Sequence, residues 1–406
     1  MSTDPHAPRP LPDRPNLRHL KDQAKDLVRA GAATSITDAQ FKIARRYGFP
    51  SWPKLKAYVD SLQEVGQLKS AIDTNDLARV KNLMARHPEL HRAPLGYARN
   101  GPLTWVAECR VPWEPPSPAR LAIATWMIEN GSDVHQGGDG PLMRAALNGY
   151  RIPMMELLVS YGANVNAEWN GDFPIIFAPC ESVDPQALGW LLDRGANPNC
   201  ANTRGRGTAL DYVIETYARS PERLSACIDV LLAAGGTTKY NAPGVLEVLR
   251  RPLDRLAEQL DADPHLVHRR FPELDCGSTG GRRLLLKGAT LLHVAAEFGN
   301  LDAARLLLDR GADVNARATL DDAGIGGQTA IFHAVTQFED RGFPMAHLLV
   351  EQGADLSVRV KLPGHYERPD EVVECTPLGY ALQFVNEPPS GKGMTVAFLR
   401  ERGGIE

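Results

Sequence analysis

The sequence lacks the features that mark several large classes of protein. Its six cysteines lie far apart without a CxxC pair, so neither a zinc module nor a disulfide framework is predicted. No run of about eighteen apolar residues occurs, and the N-terminal stretch has no apolar core of the kind that signal peptides need. We therefore expect a cytoplasmic protein with no membrane partner.

Motifs for common catalytic sites are also missing. There is no GxSxG nucleophile elbow, and the glycine-rich stretches do not have P-loop spacing. Two histidine pairs, His87 with His91 and His265 with His268, are close in sequence, but no third ligand accompanies either pair. We predict no metal site and no cofactor, and we favour a protein without catalytic activity.

The charge is unevenly distributed along a chain of otherwise ordinary globular composition. The 406 residues are 43% hydrophobic and 23% charged, with a net charge of −4. Residues 9–59 carry eleven Lys and Arg against four Asp, a local balance of +7. We interpret these charges as the solvated faces of amphipathic helices, and we consider a nucleic acid or anionic surface the less favoured partner.

Seven glycines mark a repeated pattern. Each follows a helical stretch and opens a small-residue turn, as in SYGANVNA, DRGANPNC and DRGADVNA. A left-handed residue commonly ends a helix, and glycine adopts that conformation at the lowest cost. The marked positions are Gly131, Gly162, Gly195, Gly235, Gly311, Gly353 and Gly403.

A second mark, a capping Thr or Gly that opens a short helix, lies upstream of six of these glycines. Examples are TLLHVAA at 290–296, TAIFHAV at 329–335 and TPLGYAL at 376–382. The whole segment GATLLHVAAEFGNLDAARLLLDRGADVNA, residues 288–316, resembles the ankyrin repeat, and the other units resemble it more weakly. The resemblance implies that His293 has a structural role, hydrogen-bonding the backbone between repeats.

The resemblance implies an all-α solenoid of about nine helix-turn-helix units with hairpin or loop fingers. We place the solenoid at residues 64–406, an N-terminal three-helix cap at 11–63 and a disordered tail at 1–10. The string GFPSWPKLKAYV in the cap resembles a segment that precedes the repeats in many bacterial ankyrin proteins. The unit 236–276 lacks both repeat marks, so we predict a weak junction near 241–251.

In the ankyrin family the first helices line a concave groove, and the fingers extend along one rim. Aromatic residues dominate the positions that should face this groove, and such residues often carry binding energy. The alternative is that several of them pack against the neighbouring first helix. The predicted binding residues are Trp105, Glu108, Arg144, Trp169, Phe177, Tyr212, Glu215, His333 and Tyr380.

Trp169 belongs to a finger rather than to a first helix. It lies in AEWNGD between two units, where the family places the tip of a finger. An exposed indole at such a tip favours a partner that covers it. The alternative is that the indole folds back onto Phe173.

Two functions follow from this pattern. The favoured one is non-catalytic binding of another protein or peptide, not identified by the sequence, through the groove and the fingers. The alternative is an enzyme or small-molecule binder with a pocket under three long fingers, residues 277–288, 317–327 and 359–375. Its acid–base residues would be Glu297, His333 and Tyr380, with a substrate or water between helices about 8–10 Å apart.

Overall fold

The computed structural model describes residues 9–12, 15–95, 100–108, 114–201, 207–216, 220–278, 282–364, 368, 370–384 and 393–406. These residues form α-helices with two short antiparallel hairpins, which confirms the all-α fold. No helix among them is both long and apolar enough to cross a membrane. The chain divides into two compact units, residues 1–110 with 116–137, and residues 138–406 with 111–115.

The first unit begins with the three helices that the sequence predicts. Their packed faces contain Leu20, Ile43 and Leu55, which are completely or almost completely buried. The unit contains α1 (Leu17–Arg29), α2 (Ile36–Arg46), α3 (Trp52–Asp73), α4 (Leu77–Arg86), α5 (Pro102–Glu108) and α6 (Pro118–Glu129).

Two details concern the helices of the predicted N-terminal cap. Helix α2 begins at Ile36 because the Ser35 hydroxyl accepts from the Asp38 N–H and so caps the helix. Helix α3 runs without a break across residues 63 and 64, where we placed the boundary between cap and repeats. Most of the predicted disordered tail lies outside the described residues, but the N–H of Arg9 donates to the Arg46 carbonyl.

The second unit consists of consecutive helix pairs separated by fingers. Its first helix, α7, contains the sequence boundary between the two units. The elements are α7 (Gln136–Leu147), α8 (Ile152–Ser160), β1 (Glu168–Trp169), β2 (Phe173–Pro174), α9 (Phe177–Glu181), α10 (Pro185–Leu192), α11 (Ala209–Glu215), α12 (Pro221–Ala233), α13 (Val245–Arg250), α14 (Leu253–Ala262), α15 (Leu291–Glu297), α16 (Leu301–Asp309), α17 (Ala330–Ala334), α18 (Phe343–Glu351), β3 (Val360–Pro363), β4 (Val372–Cys375), α19 (Pro377–Leu382) and α20 (Gly393–Glu401).

The glycine marks end helices as predicted. All seven have positive φ, from 79° at Gly235 to 116° at Gly131. A side chain would be strained in this left-handed region, so glycine ends the helix at the lowest cost. The spacing of these glycines therefore locates the end of the second helix in each repeat unit that carries one.

Asparagines link successive turns within the second unit. The Asn166 amide donates to the Gly195 carbonyl at 2.9 Å, and its oxygen accepts from the Asn197 N–H at 2.8 Å. Asn199 and Asn315 make the same pair of bonds to the turns at Gly235 and Gly353. The repetition of these bonds fixes the register between neighbouring units of the repeat.

The three long fingers near the C-terminus are joined to one another. The Thr319 N–H donates to Gly288 O at 3.2 Å, which joins finger 277–288 to finger 317–327. The Gly326 N–H donates to Lys361 O at 2.8 Å, which joins the latter to the β3–β4 hairpin of finger 359–375. These hydrogen bonds connect the described parts of the three fingers.

Candidate functional site

The structure buries several side chains that we expected to line an exposed groove. Phe177, His333 and Tyr380 are fully buried, Tyr212 is 6% exposed, and the expectation of exposure is wrong for all four. The rings of Phe177 and Tyr212 stack with centroids 4.8 Å apart, because neighbouring first helices lie close enough for these positions to meet. The predicted residues that are neither buried nor fully exposed are Trp105, Glu108, Arg144, Trp169 and Glu215.

Trp169 lies on a hairpin finger, as predicted. Strand β1 pairs Trp169 with Phe173 of β2, and their rings meet edge to face at 6.0 Å. Phe173 also contacts the Tyr212 ring at 6.0 Å, so the finger joins the buried Phe177–Tyr212 stack. The indole thus folds back on Phe173 and remains partly exposed on the hairpin.

Carboxylates lie next to these aromatic rings. The Tyr212 hydroxyl donates to Glu181 Oε2 at 3.0 Å. In the following unit the Tyr240 hydroxyl lies 2.8 Å from Glu215 Oε1 and also contacts Asp275. Burial first, with the nearby Asp275 and Glu215 adding to it, raises the pKa of Tyr240 strongly, so this hydroxyl stays protonated and donates.

The C-terminal part of the second unit contains a buried ionic network. The Arg282 guanidinium donates to Glu297 Oε1 and Oε2 at 2.6 and 2.7 Å, and His333 Nδ1 lies 2.8 Å from Oε2. The Gln337 amide bonds the carbonyls of Glu297 and His333. The charged side chains are at most 2% exposed, so the network is closed to solvent.

The proposed acid–base set is therefore only partly assembled. The sequence placed Glu297 near His333, but the side chains bond directly, without the intervening water or substrate that we expected. Tyr380 does not join them, because its buried hydroxyl has no hydrogen-bond partner among the described residues. Burial is the main reason that the pKa of Tyr380 is raised.

His293 has the structural role that the resemblance implied. Its Nδ1 bonds Thr290 at the start of α15, and its Nε2 lies 3.1 Å from the Gln328 carbonyl of the next finger. Burial first, and the charge on nearby His333 second, lower the pKa of His293 from 6.5 to about 3.

This shift predicts acid lability. Between the ordinary pKa of 6.5 and the folded pKa of about 3, the unfolded chain binds a proton at His293 that the folded protein does not. The free energy of unfolding should therefore fall as the pH is lowered through this window, by up to about 1.4 kcal/mol per pH unit from this group. Denaturant unfolding at a series of pH values measures the slope.

The matched variants for this prediction are His293→Asn and His347→Asn, because the His347 side chain is 40% exposed. His293→Asn should flatten the pH dependence below pH 6.5, whatever its effect on stability at neutral pH. His347→Asn is the control for the replacement of an exposed histidine. Equal slopes in all three proteins would show that His293 does not titrate as inferred.

The sequence interpretation missed several residues of these clusters. Arg282 lies in a long finger with no periodic pattern, so nothing in the sequence placed its side chain against Glu297. Tyr240 and Asp275 belong to the stretch 236–276, which lacks both repeat marks. Glu181 lies four residues after Phe177 on helix α9, so helical spacing could have predicted that the two side chains share one face of that helix.

Comparisons with known proteins match two parts of the chain. The family model described as "Ankyrin repeats (3 copies)" matches residues 260–360, and the model "Ankyrin repeat" matches residues 137–170. "Ankyrin repeat and MYND domain-containing protein 1" of Mus musculus is 40% identical over 86 residues. This match covers 20% of the chain and 9% of that protein, so the chain spans less than a tenth of this relative.

Proposed function

The chain belongs to the ankyrin-repeat family, and we propose that it binds another protein through the fingers and the groove side of its second unit. Ankyrin repeats generally mediate protein–protein interactions. A repeat scaffold of this kind presents preformed surfaces, which lowers the ordering entropy lost on binding. The partner is expected to contact this unit without large rearrangement.

One observation carries the proposal, namely the partly exposed Trp169 indole on the β1–β2 hairpin. We call Trp169 and Phe173 the finger surface. The Phe173 ring contacts the Trp169 indole edge to face. Because this contact restricts the indole, little side-chain conformational entropy is lost on binding. Tryptophan residues in such positions are enriched among those that dominate binding energy.

Binding is favoured over catalysis by the burial of the proposed acid–base residues. Glu297, His333 and Tyr380 are at most 1% exposed. A substrate could reach them only if Arg282 and its finger moved away, because Arg282 already occupies the Glu297 carboxylate. The alternative of an enzyme or small-molecule binder at this place would therefore require a different conformation.

Affinity capture from cells that naturally express the protein tests the proposal. Tagged full-length chain is compared with Trp169→Ala and with Tyr161→Ala, which removes an aromatic residue that is 37% exposed at the end of α8. Quantitative mass spectrometry should show specific proteins that Trp169→Ala loses at least fivefold and Tyr161→Ala retains, since exposed anchors contribute about 1 kcal/mol or more. Equal recovery of every protein with all three baits would contradict the proposal.

A further inference from the structure

Backbone pairs join the fingers 317–327 and 359–375 into one layer of strands. Leu320 pairs with Gly326 inside the first of these fingers, and Gly326 pairs in turn with Lys361 of β3. Lys361 pairs with Glu374 of β4. We call these paired strands the finger layer. All of these pairs are antiparallel, and β4 is the last strand of the layer among the described residues.

The outer edge of β4 carries backbone groups that point away from β3. The Lys361 carbonyl accepts from the Gly326 N–H at 2.8 Å, so the backbone of Lys361 faces away from β4. In an antiparallel pair the opposite residue then faces the other way, so the N–H and C=O of Glu374 and of Val372 point out of the finger layer. Within the part of the chain that the structure describes, these groups make no hydrogen bond, and Val372 is 46% exposed. This edge is therefore open to a further strand.

The sequence of β4 does not protect this edge. Edge strands are commonly blocked by proline, by lysine or by a bulge. Strand β3 contains Lys361 and Pro363, and its own outer edge is paired with Gly326. Strand β4 reads VVEC, with two β-branched valines and without proline, glycine or lysine. An extended segment can therefore join β4 through main-chain hydrogen bonds, which is the β-augmentation mode of peptide recognition.

The two faces of β4 define the side chains that suit an added strand. Successive side chains of a strand alternate between its faces, so Val372 and Glu374 share the outer face, and Val373 and Cys375 share the inner face. Cys375 is 4% exposed, but Val373 is only half-buried. An aliphatic side chain beside Val373 would bury more of this inner face. A cationic side chain opposite the exposed Glu374 would form a favourable cross-strand pair.

Charge favours a basic segment over a second copy of this chain as the occupant. Residues 370–375 read DEVVEC, with three carboxylates among six residues. Two such strands side by side would bring like charges together, which is unfavourable. The second unit contains 26 Lys and Arg against 36 Asp and Glu. Its net charge therefore attracts cationic segments and repels acidic ones.

We propose that the outer edge of β4 binds an extended segment of another protein as an additional antiparallel strand, and that this segment alternates cationic and aliphatic side chains. The cationic side chains lie on the outer face beside Glu374, and the aliphatic ones lie on the inner face beside Val373. The antiparallel direction continues that of the finger layer. This inference goes beyond the proposed function, because β4 belongs to a different finger from Trp169, and it stands even if the finger surface binds nothing.

Backbone methylation of a probe peptide tests strand addition on the unaltered full chain. The probe is a fluorescein-labelled peptide of about ten residues that alternates lysine and valine, and fluorescence anisotropy measures its affinity. In the proposed pairing the lysine N–H groups donate to the carbonyls of Val372 and Glu374, whereas the valine N–H groups point to solvent. N-methylation of the lysines should therefore weaken binding at least fivefold, and N-methylation of the valines should change it less than twofold. A counterpart with glutamate in place of lysine should bind at least fivefold more weakly than the probe.

Substitutions on β4 locate the binding of the lysine–valine peptide. Val372→Pro removes an outward N–H at an edge position where proline is tolerated, and it should weaken binding at least fivefold. Val372→Thr keeps the N–H and a branched side chain, so it should change the affinity less than twofold. Glu374→Gln should weaken binding about two- to fivefold, and its control Glu258→Gln, at an exposed position on α14, should leave the affinity nearly unchanged. Thermal unfolding close to that of the wild type shows that each variant is folded.

Three results would overturn the inference. The first is no binding of the probe, or a lysine-methylated peptide that binds at least as tightly as the valine-methylated one. The second is equal affinity of the wild type and of Val372→Pro for the probe. The third is a wild-type dimer in analytical ultracentrifugation that Val372→Pro converts to a monomer, because a second copy would then occupy the edge. Affinity capture with Trp169→Ala is independent of these measurements, so the two proposals fail separately.

Discussion

Replacing Glu297 with alanine is expected to lower the free energy of unfolding by about 3–5 kcal/mol. The carboxylate lies between the Arg282 guanidinium and the His333 imidazole, and all three side chains are buried. Without the Glu297 carboxylate, the Arg282 guanidinium stays buried and loses the negative charge that it pairs with. Leaving one buried charge uncompensated costs more than the intact pair contributes to stability.

Urea unfolding of the full chain measures this effect, with Glu351→Ala as the control. Glu351 also pairs with a histidine, His347, but both side chains are 40% or more exposed. Glu351→Ala should therefore cost less than about 1 kcal/mol. If Glu297→Ala costs no more than this control, the buried network does not hold the fingers in the way described.

Ala295→Asp is the second substitution with a large expected effect. Ala295 is fully buried on α15, which packs against α13, α16 and α17. An unpaired aspartate carboxylate at this buried position lowers the free energy of unfolding by several kcal/mol. We expect loss of amide protection in the last three repeat units, while the preceding residues remain protected, because local unfolding can stop at the weak junction predicted near 241–251.

Hydrogen exchange followed by mass spectrometry tests this expectation. Ala295→Ser is the matched variant, because it adds a small polar group without a charge. The serine variant should keep most of the protection that the aspartate variant loses. Uniform loss of protection along the whole chain in Ala295→Asp would show that the chain unfolds as one cooperative block.

Much of the fold could be predicted because the residues that begin and end its helices act on neighbours close in sequence. Gly162 and Gly311 end helices in a conformation that glycine adopts most easily, so their spacing gives the repeat directly. His293 could be assigned a structural role from its place in TLLH, and its bonds to Thr290 and Gln328 confirm that role. Such features depend on a few neighbouring residues and therefore appear in the sequence.

The details of the candidate site depended on distances that the sequence does not contain. Helical spacing indicated the face on which Phe177 and Tyr212 lie, but not that the two rings would stack and become buried. The same spacing predicted that Glu297 lies near His333. The predicted separation was too large, because it was taken from the distance between helix axes and left out the length of the side chains. Arg282 could not be placed because long fingers have no periodicity.

The measurement that tests protein binding most directly is photocrosslinking at the finger surface inside living cells. Benzoylphenylalanine replaces Glu168, the exposed neighbour of Trp169 on β1, in one protein and Tyr161 in the control, so that the Trp169 indole is kept in both. The proposed function predicts a discrete covalent adduct with another protein from position 168 that is absent from position 161. No adduct from position 168, or the same adduct from both positions, would contradict it.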